Sequence, residues 1–231
     1  MNTSIVLFTI FCISASAFAK DTQTTIQIIM DDSGVLINPV EADQYKMQLL
    51  SHLKQLTRKR QFSRAHIDVI NTSIGRTIWS GTPSDLKRKA KHTQSLVDSV
   101  KTNPANCNNL SGSFIELASN LRALKRQGFI KAHVIVFSSL IDTPRPCNEI
   151  TSITLPQTPP VQGDINQALS SFKGMQSISF YWVSPHQMRV WEDFLAPTFK
   201  WAVANHISIS ITDIERSKFL LSKSLNLEPR K

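Results

Sequence analysis

An α/β domain with a mainly parallel sheet is the fold class this sequence predicts, and three observations carry it. Short apolar runs of strand length alternate with amphipathic helical segments from residue 25 onward. Two of those runs, 65–73 and 76–80, are joined only by a turn at Gly75, so they form an antiparallel pair. His133-Val-Ile-Val-Phe137 is the most apolar run and suits a strand buried on both faces at the sheet centre.

Each element follows from its residues. Thr25–Asp31 is a strand ending in Asp31-Asp32-Ser33-Gly34, a polar turn at its carboxyl end. Asn38-Pro39 opens a helix to about Arg58, with Tyr45, Leu49, Leu53 and Leu56 on one face. The strands Ala65–Ser73 and Arg76–Ser80 follow. Thr82-Pro83 starts a helix with proline at an early position, and Leu86, Ala90, Val97 and Val100 line its inner side. A polar loop, 103–112, holds Cys107. Ser113 and Glu116 have the spacing of a capping box for a helix ending at Gly128, with Phe114, Leu117, Ala118, Leu121 and Leu124 inward.

After the central strand come Ser138, Ser139 and Asp142, then a proline-rich loop, 143–163, that carries Cys147. A short helix over 164–173 leads to the strand Ser177–Val183, in which alternation places Ile178, Phe180 and Trp182 on one side. His186–Asn205 is an amphipathic helix. Ile207, Ile209 and Ile211 alternate with Ser208, Ser210 and Thr212, as in an edge strand with one wet face. A basic helix over about 214–224 ends the chain.

The length of 231 residues suits one large domain with a real core, 41% of the residues being hydrophobic. Residues 5–18 are uncharged and apolar or small, and Ala17-Phe18-Ala19 is a cleavage pattern. Residues 1–19 therefore read as a signal peptide, 20–231 as the mature domain, and the compartment as periplasmic or secreted. No other stretch is long and apolar enough to span a membrane, which needs ~20 residues. Cys107 and Cys147 remain as an even pair in an exported chain, which favours a disulfide between them over a metal site or a catalytic thiol.

The net charge is +9. Much of it lies in two clusters: Lys54, Arg58, Lys59, Arg60 and Arg64, then Lys87, Arg88, Lys89 and Lys91. They are either solvated helix faces or a contact for an anionic surface. Aromatic residues do not interleave with them, so no nucleic-acid motif is present. The histidines, His52, His66, His92, His133, His186 and His206, lack metal-ligand spacing.

Three features together resemble a von Willebrand factor A-like domain of the exported bacterial type. They are the strand ending in Asp31-Asp32-Ser33-Gly34, the antiparallel strand 76–80, and Ser111-Gly112-Ser113 ahead of a central strand that ends in Ser138-Ser139-Leu140. The resemblance implies a three-layer Rossmann-like sandwich: sheet order 3-2-1-4-5-6, strand 3 antiparallel, helices on both faces. In that family an Mg²⁺ or Mn²⁺ ion sits at the carboxyl end of the sheet on oxygen ligands. Asp31 and Ser33 match its motif, and Ser113 would stand for a threonine. Val35 replaces a serine, and Ser139 stands where an aspartate belongs, with Asp142 three residues on.

The resemblance thus implies a degenerate metal site and no cofactor; any residual metal would use Asp31, Ser33 and Ser113. Asp31-Asp32-Ser33-Gly34-Val35-Leu36 also looks like the opening motif of haloacid-dehalogenase-type phosphatases. There Asp31 would be the nucleophile, but Ser33 replaces the general acid. The favoured expectation is an exported, non-enzymatic protein-interaction module of an envelope, secretion or mobile-element transfer assembly. Its binding residues would be Asp31, Asp32, Ser33, Ser113, Ser139 and Asp142. The alternatives are a metal-dependent adhesion module, the phosphatase, and a module binding anionic surfaces through the basic clusters.

Overall fold

The computed structural model describes residues 23–88, 90–143, 153–160, 165–170, 172–223, 225 and 227. The expected leader, with the third cysteine, Cys12, and Lys89 and Cys147 lie outside them, as do the side chains of Ala90, Lys91 and His92. The strands are β1 (Thr24–Met30), β2 (His66–Asn71), β3 (Arg76–Gly81), β4 (Lys131–Phe137), β5 (Met175–Val183) and β6 (Ser208–Asp213). They form one sheet in the order β3-β2-β1-β4-β5-β6. Only β3 runs antiparallel to its neighbour. The helices are α1 (Pro39–Gln55), α2 (Pro83–Arg88), α3 (Ala90–Val100), α4 (Leu110–Arg126), α5 (Ile165–Ser170), α6 (Pro185–Ala204) and α7 (Ile214–Lys223). The class and strand order expected from the sequence are those observed.

Alternation along β1 divides the core. Ile26, Ile28 and Met30 face one side with Ile67, Val69, Ile135 and Phe137, covered by Leu49 and Leu53 of α1, Leu86 of α2, Val100 of α3 and Leu221 of α7. Ile29, Ile70, Val134, Val136, Ile178 and Phe180 face the other side, under Phe114, Leu117 and Leu121 of α4, Ile165 of α5 and Trp191 of α6. Every residue of β1 is buried. Each apolar side chain so enclosed contributes about 1.5–3 kcal/mol.

Three local expectations are overturned. Trp182 does not share a side with Ile178 and Phe180. The β5–β6 register shifts between Phe180 and Val183, and Trp182 has φ +67°. That turns its ring into the other layer, stacked on Phe137 at 5.3 Å, with Nε1 donating to the Ile37 carbonyl at 2.8 Å. Strict alternation fails wherever one residue leaves extended geometry.

Ser113 is not the cap of α4. The helix starts three residues earlier, capped by Asn109, whose side chain accepts from the Gly112 N–H at 2.8 Å. Ser113 lies inside the first turn and donates to the Asn109 carbonyl, while Glu116 accepts from Thr77 N and Oγ1 on β3. Asparagine caps at least as well as serine, and tertiary contact with β3 takes the glutamate. Thr212, expected on a wet face, is buried beneath α7 and donates to the Phe180 carbonyl at 2.8 Å.

Candidate functional site

Parallel strands end together, so the turns after β1, β2 and β4 converge with the loop 101–109 before α4 at one end of the sheet. In open α/β sheets this carboxyl end is where binding groups collect. Asp31, Asp32, Ser33 and Ser139 do meet there, each 2% exposed or less.

Asp31 is the hub. Its Oδ1 accepts from the Ser33 N–H at 3.0 Å and from the Ser33 hydroxyl, an Asx turn that folds the chain back on itself. Its Oδ2 accepts from Ser138 Oγ at 2.7 Å and Asn108 Nδ2 at 2.9 Å, with Ser139 Oγ farther off at 3.5 Å. Burial pushes the Asp31 carboxyl above its ordinary value, against the opposing pull of the Ser33 and Ser138 donors and the Lys46 charge.

Asp32 ties the neighbouring turns. It accepts from the Ser73 N–H at 3.0 Å and Asn106 Nδ2 at 2.6 Å, and its carbonyl accepts from the Asn103 N–H at 2.9 Å. Gly34 is held against the same loop: a Cβ there would sit 2.4 Å from the Pro104 carbonyl oxygen.

Asn108 and Lys46 were not foreseen. Asn108 is fully buried; besides Asp31, its Nδ2 reaches the Ile141 carbonyl at 2.7 Å, and its backbone N–H donates to Thr143 Oγ1 at 2.6 Å. Its side-chain oxygen is buried without a partner among the described residues. Lys46 is wholly buried and donates to Asp43, the Val100 carbonyl and Thr102, fixing the start of the 101–109 loop. A lysine on the stripe of Ala42, Leu49 and Leu53 was the legible signal for it; for Asn108 there was none.

Asp142 is half-buried and performs a helix-end task. Its Oδ1 accepts from the Leu110 N–H at 2.9 Å, at the amino end of α4 where negative charge is favoured. Burial raises its carboxyl above the ordinary value, and the Leu110 bond opposes that. Ser113, two residues beyond Ser111 on α4, makes its bond to Asn109 instead and is not drawn to Asp31. Leu140, at φ +58°, holds its carbonyl toward Gln187 Nε2 and Trp191 Nε1, so α6 keeps the β4 exit loop in a left-handed turn. A non-glycine residue so placed costs about 1–3 kcal/mol.

Cys107, beside Asn108, is disulfide-bonded; its expected partner, Cys147, lies outside the described residues. Among the described residues no group of three or more His, Cys, Asp or Glu is placed to hold a metal ion. No described helix is long and apolar enough to cross a membrane. His133 is a core residue: its ring accepts or donates to Ser177 Oγ at 2.8 Å and meets Phe62 edge-on, and burial lowers its pKa to about 4.

No protein-family model and no curated protein sequence matches this chain. Solved structures do. A mutant of the PilB minor pilin from Streptococcus sanguinis superposes with a TM-score of 0.51 at 10% identity, over 87% of this chain and 59% of the pilin. The pilus adhesin SpaC from Lactobacillus rhamnosus GG, in its open conformation, gives 0.55 at 11% identity, over 87% of this chain and 29% of SpaC. The chain thus spans about three-fifths of the one protein and under a third of the other. At such identity the likeness is one of fold.

Proposed function

We propose that this chain is an exported, non-enzymatic interaction module of the von Willebrand factor A-like type, working within an envelope, secretion or transfer assembly. The observation that carries the reading is the closure of the carboxyl end around Asp31. A nucleophile or a metal-binding carboxylate needs an open side. Here the oxygens of Asp31 already accept from Ser33, Asn108 and Ser138, and an amide N–H directed at the carboxylate repels a cation.

The residues present therefore do not fit a tight Mg²⁺ or Mn²⁺ site: Val35 supplies no side-chain oxygen, Ser139 no charge, and the Ser113 hydroxyl faces Asn109. Nor does Ser33, bonded to Asp31, offer a proton donor for phosphatase chemistry. The pilin and adhesin domains of the same fold lend support to a non-enzymatic surface role.

In this reading Asp31, Asp32, Ser33, Ser139 and Asp142 act as the frame of the binding surface, and the exposed loops they hold make the contact. Val40, 76% exposed at the start of α1, and Ile74, 49% exposed in the β2–β3 turn, are its apolar points. A disulfide from Cys107 to Cys147 would brace the same loops.

A photo-crosslinking amino acid at position 40 or 74, in cells that export the protein, tests this. One discrete adduct from both positions, lost on Ile74→Asp in the position-40 sample, is expected. Micromolar Mg²⁺ or Mn²⁺ binding by calorimetry, abolished by Asp31→Ala, would instead establish the metal-dependent adhesion reading.

A further inference from the structure

We propose that the opposite, amino end of the sheet is a docking face for a bilayer carrying anionic lipid. This rests on the other pole of the molecule and is independent of the reading above. The two basic clusters, distant in sequence, are brought together there. α1 ends at this pole in a 3₁₀ turn, Leu56–Arg58, and α2 packs against that turn after β3 delivers the chain to the same end. Arg58, Lys59, Arg60, Lys87 and Arg88 are all exposed, and among the described residues none of them forms an ion pair with a carboxylate. Asp85, the carboxylate among the described residues of these turns, accepts from the Thr82 hydroxyl and N–H.

Across the same pole, the turns entering β4 and β5 form an apolar cleft of about 280 Å³. Phe129, Ile130 and Phe172 line it and Lys125 and Lys173 stand at its rim. Ile130 is 52% exposed. Cations alone would suit any polyanion. Cations around an exposed aliphatic side chain and an apolar cleft suit an amphiphile, whose phosphate meets the lysines while its chain meets the isoleucine.

Co-sedimentation of the full chain with phosphatidylglycerol–phosphatidylcholine vesicles, against phosphatidylcholine alone, over a salt series, tests the proposal. The apolar leader adds the same charge-independent partition to every variant and cancels in their ratio. Expected is tighter binding to the anionic vesicles than to phosphatidylcholine alone, an excess that weakens steeply with salt. Lys59→Glu, Arg60→Glu, Lys87→Glu and Arg88→Glu together should lower it roughly 100-fold or more, each cation near the surface being worth about fivefold.

Ile130→Ser should lower it severalfold with the salt dependence unchanged. All these positions are exposed, and an unaltered circular dichroism spectrum confirms the fold. Equal partition of parent and charge-reversed variant would overturn the proposal. So would tighter binding to a DNA duplex than to anionic vesicles at the same salt, which would assign the pole to a polyanion.

Discussion

At the carboxyl end of the sheet, the Asp31 and Asp32 side chains are 0% and 2% exposed, and each accepts from side chains of the 101–109 loop. At the amino end, Lys59, Arg60, Lys87 and Arg88 stand in solvent with no carboxylate partner among the described residues. Both ends are rich in charge, yet the charge does different work. Where donors close around a carboxylate, it becomes a structural hub whose loss leaves several buried groups unpaired. Where cations stay hydrated, they add little to stability and remain available to a partner. Polar residues at the end of a strand are therefore no sign of a contact surface until their partners are known.

The largest expected effect breaks the closed end. Asp31→Ala orphans the buried donors of Ser33, Asn108 and Ser138, at about 1–3 kcal/mol each before relaxation, so a loss of about 4 kcal/mol is expected in urea unfolding. A loss below about 1 kcal/mol would mean that water or a shifted loop satisfies those donors.

The pH dependence sharpens the contrast next. Burial raises the Asp31 and Asp142 carboxyls above their ordinary 3.8, so the folded chain holds more protons than the unfolded one just above that pH. Stability should rise as pH falls through their folded values toward 3.8. Asp68 runs the other way. Burial works to raise it, but hydrogen bonds from His66, Gln27 and Ser80 win and hold it lower, so its stabilisation is lost below pH 3.8. Unfolding curves across pH for Asp31→Asn and Asp68→Asn should flatten the first and second limbs respectively; identical curves would refute the assignment.

The smallest effect belongs to the open end. Lys59→Ala with Arg60→Ala should change stability by no more than about 0.5 kcal/mol, since both side chains are exposed and, among the described residues, unpaired with carboxylates. A larger loss in the same urea assay would show that this end, too, is structural.

The alternation of apolar runs and amphipathic helices determined the fold from the sequence alone, because burial on both faces of β1 and β4 demands continuous apolar strands and helices to cover them. The short Gly75 turn likewise determined the antiparallel β3. Asp31 was legible as the end of a strand, and its neighbours Ser33 and Ser139 as residues that would gather there.

Only the tertiary structure decided what those residues do. Asn108 is 77 positions from Asp31, and its hydrogen bond exists because two loops meet. Asn109 displaced Ser113 as the cap because Glu116 found Thr77 on another strand. Trp182 changed layers through one left-handed residue, which no periodicity encodes. The basic clusters were plain in the sequence, but their union at one pole came from the fold. Periodic burial is a property of neighbouring residues, whereas the pairing of donors with acceptors, and of cations with one another, is a property of distant ones.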